Sequence, residues 1–205
     1  MEKLSVPKDK FIIGLTGNIA TGKSAVMNLA ADRGALAIDA DKIVHELLES
    51  NVPLQEAIAS LFGPTVRQAD GRIIRPALGK IVFGDPQALR KLEAIIHPAV
   101  HRQIMARIEE SQSSVVIIEA IKLLEGKLKG ICHTIWVTRC SRERQLERLR
   151  VFRGMDEETA VMRVDSQAPQ EDKVVKADVV IDTDGLMDDT RRQFEQAWAQ
   201  IPTPK

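Results

Sequence analysis

The sequence predicts an α/β fold: a five-stranded parallel sheet between two layers of helix, extended by a helical insertion and a helical lid. Three observations predict it. Apolar, β-branched runs occur at residues 11–15, 115–118, 134–137 and 179–181, with a weaker one at 35–38. They are continuous rather than alternating, which suits strands covered on both faces. Helical patterns separate them, as right-handed crossovers between parallel strands require. Finally, the first run leads directly into Gly17-x-x-x-x-Gly22-Lys23-Ser24, a phosphate-cradling pattern whose proper setting is strand, loop, helix.

Taken in order, residues 1–10 read as a flexible lead-in to the strand at 11–15. In the loop, Gly17 and Gly22 free the backbone to turn its N–H groups toward phosphate oxygens. A helix opening at Lys23 aims its positive dipole end at the same anion. Lys23 is placed to reach the β- and γ-phosphates, and the Ser24 hydroxyl to ligate Mg²⁺. After the strand at 35–38 come Asp39 and Asp41 on an extended segment, where the two carboxylates point opposite ways. Asp39 suits the cap of a helix over 42–48. Residues 51–111 carry no convincing strand. Helical patterns at 54–62, 88–96 and 97–108, broken by Gly63-Pro64, Asp70-Gly71 and Asp85-Pro86, read as an insertion near the carboxyl ends of the strands, where ligands bind in such sheets.

Residues 141–176 form a second strand-free block, rich in arginine: Arg142, Arg144, Arg148, Arg150, Arg153 and Arg163. Gly154 breaks it, and Asp156 caps a new helix. One reading is a solvated charged hairpin. The other, favoured beside a phosphate loop, is a lid whose guanidinium forks meet phosphoryl oxygens. Residues 11–50, 112–140 and 177–205 then make the nucleotide-binding core, 51–111 the acceptor domain and 141–176 the lid.

Bulk composition narrows the class. Lys+Arg and Asp+Glu both total 29, for zero formal charge in 205 residues, where a nucleic-acid binder usually shows basic excess. The two cysteines, Cys132 and Cys140, give neither zinc spacing nor a disulfide framework, so a reducing cytoplasm and inert thiols are expected. The N-terminus lacks the apolar segment of a signal peptide, and no run is long enough to span a membrane.

The loop alone does not choose a reaction. No guanine-reading Asn-Lys-x-Asp is present, and Asp182-Thr183-Asp184-Gly185 comes after the last strand, too late for a switch, so it reads as a turn. A small-molecule kinase fits: a core, an acceptor insertion and a lid that excludes water. Asp41 is the candidate carboxylate, able to take the acceptor proton or to hold Mg²⁺ through water.

These motifs resemble the dephospho-coenzyme A kinase family of P-loop kinases. The family's Leu-Thr-Gly-Gly-Ile-x-x-Gly-Lys-Ser is present from Leu15 to Ser24 and its Ile-Asp-Ala-Asp from Ile38 to Asp41. His97-Pro98 matches its His-Pro pair, Arg163 and Gln167 its Arg-x-x-x-Gln, and Ala177 to Asp182 its closing strand. The resemblance implies transfer of the ATP γ-phosphoryl group to the ribose 3′-hydroxyl of dephospho-CoA, in the three-layer α/β/α fold of these kinases. It implies ATP and Mg²⁺ as cofactors, with Gly17, Asn18, Ile19, Ala20, Thr21, Gly22, Lys23, Ser24, Thr183 and Gly185 holding nucleotide. Asp41, Lys23, Arg148 and Arg153 would be catalytic, Ser24 and Glu119 (through water) would hold the metal, and Asp41, His97 and Lys122 would face the acceptor. The expected partner is this small molecule, without nucleic acid or membrane, and a monomer is expected.

The chain departs from the family pattern at three places. Asn18 stands where many relatives have glycine, and it tolerates positive φ. Thr183 replaces an Asn expected beside the adenine. In the turn after the third strand, Glu119 replaces an aspartate and Lys122 a proline. Lys122 binds substrate phosphates or marks a different acceptor, so a kinase for another nucleoside or nucleotide stays open. So does a nucleotide-binding paralogue without turnover, against which Lys23, Ser24 and Asp41 argue. His97 either bonds a neighbouring loop or contacts the acceptor.

Overall fold

Strand β1 (Phe11–Thr16) is buried on both faces from Ile12 onward, which is why its sequence shows no polar alternation. The computed structural model describes residues 7–202. After β1 come α1 (Lys23–Asp32), β2 (Leu36–Asp39), α2 (Ala40–Ser50), α3 (Val52–Phe62), α4 (Arg75–Val82) and α5 (Pro86–Glu110). Then follow β3 (Val115–Glu119), β4 (Thr134–Arg139), α6 (Arg142–Arg153), α7 (Glu157–Asp165), α8 (Glu171–Val174), β5 (Val179–Asp182) and α9 (Met187–Trp198). The sheet is five-stranded and parallel, ordered β2-β3-β1-β4-β5. Strand order therefore reverses around β1, the switch point where such sheets bind ligands. Registers of Leu15 with Glu119, Thr16 with Val137 and Arg139 with Asp182 line up the carboxyl ends.

One sheet face packs on α1 and α9 through Ile13, Leu15, Val26, Leu29, Ile117, Trp136, Ile181 and Phe194. The Trp136 and Phe194 rings meet edge to face at 5.8 Å, and Phe194 stacks on Trp198 at 5.3 Å. Such pairs each add about 1 kcal/mol to the area they bury.

By its contacts the chain separates into two units: the sheet with its helices, running to Ile38 and resuming at Ser111, and a helical unit, Asp39–Glu110. The sequence boundary at 50/51 put α2 with the core, but α2 packs on α5 and α3. Its buried stripe of Ile43, Leu47 and Leu48 finds cover there, and an Arg107–Glu46 ion pair at 2.5 Å joins α5 to α2.

Four expectations need correction. His97-Pro98 does not open a helix; Pro98 lies inside α5. An internal proline forfeits a backbone bond, and here buried Leu92 and Ile96 before it and Val100, Ile104 and Ile108 after it hold both halves in one apolar stripe. The expected extended segment at Asp41 is instead the first turn of α2, because Asp39 accepts the Lys42 amide at 2.9 Å and starts the helix early. Residues two apart on a helix still diverge by about 200°, so the carboxylates remain separated. The lead-in is not loose throughout: Lys10 is buried, donating to the Ser111 and Ser113 carbonyls at 2.7 and 3.0 Å. Its first six residues lie outside the described ones. The fourth is an omission, α4, a short helix with proline in its first turn. No helix among the described residues is long and apolar enough to cross a membrane.

Candidate nucleotide-binding and phosphoryl-transfer site

The loop between β1 and α1 is shaped by what lies beneath it. A Cβ on Gly17 would fall 2.6 Å from Thr21 Oγ1 and 2.7 Å from the Thr138 carbonyl oxygen, and closer still to Thr138 Oγ1. Only a bare backbone can press this near β4. The Thr21 hydroxyl pairs with Thr138 Oγ1 and also lies 2.8 Å from the Asn18 carbonyl, pinning the loop to the strand end. Gly22 caps α1 at φ +86° with its α-carbon against Thr183. Among the described residues, the non-glycine residue held at positive φ is Ala20 (+59°), not Asn18. Asn18 serves through its side chain instead, donating to the Ala168 carbonyl at 2.9 Å.

Lys23 leans back across the loop. Its ammonium donates to the Gly17 and Asn18 carbonyls, both at 3.1 Å, and stands 3.7 Å from a Glu119 oxygen. Both side chains are mostly buried, at 10% and 13% exposure, so little water screens them. The register that sets Glu119 beside Leu15 delivers the acid here. Ser24 follows in the first turn of α1, exposed. The helix's own bonds begin with the Ala25 and Val26 amides on the Gly22 carbonyl, so the Lys23 and Ser24 amides before them are left to join the loop's in addressing one anion. The Thr16 hydroxyl bonds the Ile121 carbonyl at 3.1 Å, tying down the turn after β3, where Lys122 is exposed.

The arginine-rich block docks on this loop. Arg148 Nη1 donates to the Ala20 carbonyl and to Thr183 Oγ1, both at 3.0 Å, and its Nη2 to the Thr183 carbonyl at 2.5 Å. Gln145 donates to the Ile19 carbonyl, and Gln167 accepts the Ile19 amide, both at 2.6 Å. Lys173, from α8, donates to Asn18 Oδ1 at 2.7 Å. Beneath these bonds, Leu149, Ala160 and Val164 pack with Ile19, Ala20, Leu146 and Met155. Other arginines are used inside the block: Arg142 forks onto Asp165 at 2.9 Å, and Arg150 pairs with Glu157 at 3.1 Å. Arg153 sits on the exposed end of α6. Charge density alone therefore overstated how many of the arginines address the loop.

Thr183, expected beside the base, is instead 2% exposed; its hydroxyl donates to the Thr21 carbonyl at 2.9 Å, supporting the loop from below. The exposed member of that turn is Gly185. Asp184 is structural as well, accepting the Ser141 amide and hydroxyl at 2.9 and 2.7 Å. Those bonds hold its carboxyl below the usual range, helped by Arg144 and Arg148. Lys173 and Gln145 escaped sequence reasoning, since single polar residues on charged helices carry no pattern, and Asp184 reads there only as part of a turn. Asp41 and His97 lie in the helical unit. Asp41 is exposed at the start of α2; His97 is exposed on α5, its ring stacked with His101 at 6.2 Å.

Neither thiol is set up to react. Burial pushes Cys132 up to about 12 and raises Cys140, with the Arg148 charge only partly offsetting the second. No group of three or more metal-ligating His, Cys, Asp or Glu occurs among the described residues. The hydroxyl and carboxylate oxygens of Ser24 and Glu119 suit Mg²⁺, a hard cation that takes few protein ligands and completes its shell with phosphates and water.

A parallel sheet with reversed strand order, a glycine-bounded loop feeding a helix and an arginine-rich helical block docked on that loop together define a P-loop kinase. The family model for dephospho-CoA kinase matches residues 11–189. The dephospho-CoA kinase of Symbiobacterium thermophilum is 41% identical over 190 residues, covering 91% of this chain and 80% of the relative. That of Carboxydothermus hydrogenoformans is 40% identical over 186 residues, covering 89% and 90%. Among solved structures, a protein from Thermus thermophilus superposes with a TM-score of 0.82 at 30% identity, covering 94% of this chain and 98% of its own. The dephospho-CoA kinase of Campylobacter jejuni gives 0.60 at 27%, covering 94% and 97%. The chain belongs to the dephospho-CoA kinase family.

Proposed function

We propose that this chain transfers the γ-phosphoryl group of ATP to the ribose 3′-hydroxyl of dephospho-CoA, giving CoA and ADP. The observation that carries the reading is the loop of residues 17–24, with Lys23 lodged at its mouth, in a chain that matches this family from residue 11 to 189. The loop amides of residues 17–22 with Lys23 and Ser24 receive the β- and γ-phosphates, and Lys23 exchanges two carbonyls for phosphoryl oxygens. Mg²⁺, held by Ser24 and through water by Glu119, would neutralise charge on the β- and γ-oxygens. Asp41 accepts the proton of the acceptor hydroxyl, while His97 and Lys122 contact the acceptor.

For Arg148 to meet the transferring group, its fork must leave the Ala20 and Thr183 carbonyls; until then it keeps the loop in shape. Arg153, exposed on α6, adds charge from the lid, and Gly185 borders the base. Phosphoryl transfer asks a protein for position and charge more than for covalent chemistry, and every part named supplies one of those. The setting is a cytoplasmic monomer acting on a small molecule, with no nucleic acid involved.

One observation favours a second reading. Lys122 occupies the turn after β3, where the family pattern has a rigid proline, so the acceptor could be another nucleoside or nucleotide. An ADP-release assay with dephospho-CoA, adenosine, nucleoside monophosphates and shikimate decides between them. Dephospho-CoA should show by far the highest kcat/KM. Comparable turnover of any other acceptor overturns the assignment, and nucleotide binding without turnover leaves a binding paralogue.

A further inference from the structure

Two lysines converge on one loop residue. Lys23 Nζ donates to the backbone carbonyl of Asn18 at 3.1 Å, and Lys173 Nζ donates to the side-chain carbonyl of the same residue at 2.7 Å. Lys173 does not arrive on a loose surface arm. The segment leading to it is clasped to the loop and to β4: Gln167 accepts the Ile19 amide at 2.6 Å, and Ala168 accepts from Asn18 Nδ2 at 2.9 Å. Gln170 pairs with Cys140, donating to its carbonyl at 2.8 Å and accepting its amide at 3.4 Å. Position and charge are therefore both specified.

The electrostatics point to an anion. Burial lowers the Lys173 pKa and the nearby Lys23 charge lowers it further, while Glu125 opposes them. The two ammonium charges repel, and negative charge shared between them relieves the repulsion. Asn18 is a weak dock for a cation: a neutral amide oxygen holds it in place, yet yields to a charged oxygen, which adds Coulomb attraction to the bond. Lys23 is the residue that addresses the β- and γ-phosphates in such loops, so a cation beside it lies at the terminal end of the nucleotide.

We propose that Lys173 is a second phosphate-binding cation of this site, docked on Asn18 Oδ1 and transferring to the terminal phosphoryl oxygens when a nucleoside triphosphate binds. The proposal rests on the loop being the ATP site. Three variants separate its parts. K173Q keeps a donor for Asn18 and removes the charge, K173A removes both, and K173R keeps both the donor and the charge. Binding of a non-hydrolysable ATP analogue and of ADP is measured calorimetrically at low and high salt, with thermal melts as a check on folding.

K173Q and K173A should weaken the analogue about tenfold, the worth of one charge-assisted bond. The loss should be smaller for ADP, and the decline with salt shallower than in the wild type. K173R should recover most of the affinity that K173Q loses. If K173Q binds like the wild type, or K173R loses as much as K173A, the pair is only a clasp and the proposal falls. If K173A does not fold, K173Q, one atom shorter but still a donor, decides the question alone. Failure of the wild type itself to bind either nucleotide would instead bring down the kinase reading, a different result.

Discussion

Gly17→Ala tests the geometry of the loop more sharply than any change to a charged group, because it adds one carbon and removes no chemistry. The new Cβ would sit 2.6 Å from Thr21 Oγ1 and 2.7 Å from the Thr138 carbonyl oxygen. A side chain could rotate away, but the second contact is backbone of a central strand paired to β1 and β5. The loop must therefore lift. Overpacking of this kind costs about 1–3 kcal/mol, and parting the Thr21–Thr138 hydroxyl pair strands buried polar groups at about 1 kcal/mol or more. The sum is about 3 kcal/mol, equivalent to a fall of about 6–12 °C in melting temperature for a chain of this size. Lifting the loop also misaligns its amides, so nucleotide affinity should drop more than about tenfold, the equivalent of one lost bond to a charged group. Thermal melts with and without nucleotide, plus a direct titration, read both effects. A melting point within about 2 °C of wild type, together with unchanged affinity, would refute the steric argument.

Lys23→Ala should reduce turnover by about 10²-fold or more, the usual cost of losing a preorganised charge contact, and near-normal kcat would show that Lys23 does not address the phosphates. Asp41→Asn should lower kcat by about 10²-fold with ATP KM little changed, as loss of a general base predicts; an unaltered kcat would reduce Asp41 to a first-turn acid of α2. Acid stability should depend on Asp184, whose folded carboxyl is depressed first by its bonds from Ser141. A depressed carboxyl contributes fully above the unfolded value near pH 4, and that contribution fades as pH falls through the lower folded value. Melting temperature should thus fall less steeply with acid in Asp184→Asn than in wild type, and parallel acid limbs would exclude the effect.

Much of this was legible in the residues. Continuous apolar runs gave away a sheet covered on both faces, and the spacing of Gly17, Gly22, Lys23 and Ser24 located the loop and the start of α1. Asp39 and Asp156 acted as caps because a short carboxylate fits the amide three residues on. What stayed hidden depends on long-range packing. Pro98 reads locally as a helix start, yet buried neighbours on both sides carry α5 through it. The positive φ fell on Ala20, where the Arg148 and Cys140 contacts hold the backbone, and no local pattern forecasts that. Thr183 looked like a base contact by its place in the family pattern. Its burial under Gly22 follows only from the way β5 ends beside β4.

The loop grows from β1, a strand bonded on both sides, whereas its flank rests on side-chain bonds from the segment 167–173. Central strands open only when the whole unit unfolds, while segments hung on a few side chains open at far lower free energy. The cradle thus has a permanent floor and a detachable wall. Local opening of the cradle is therefore expected to begin in that wall, with the amides beneath it kept in register by β1.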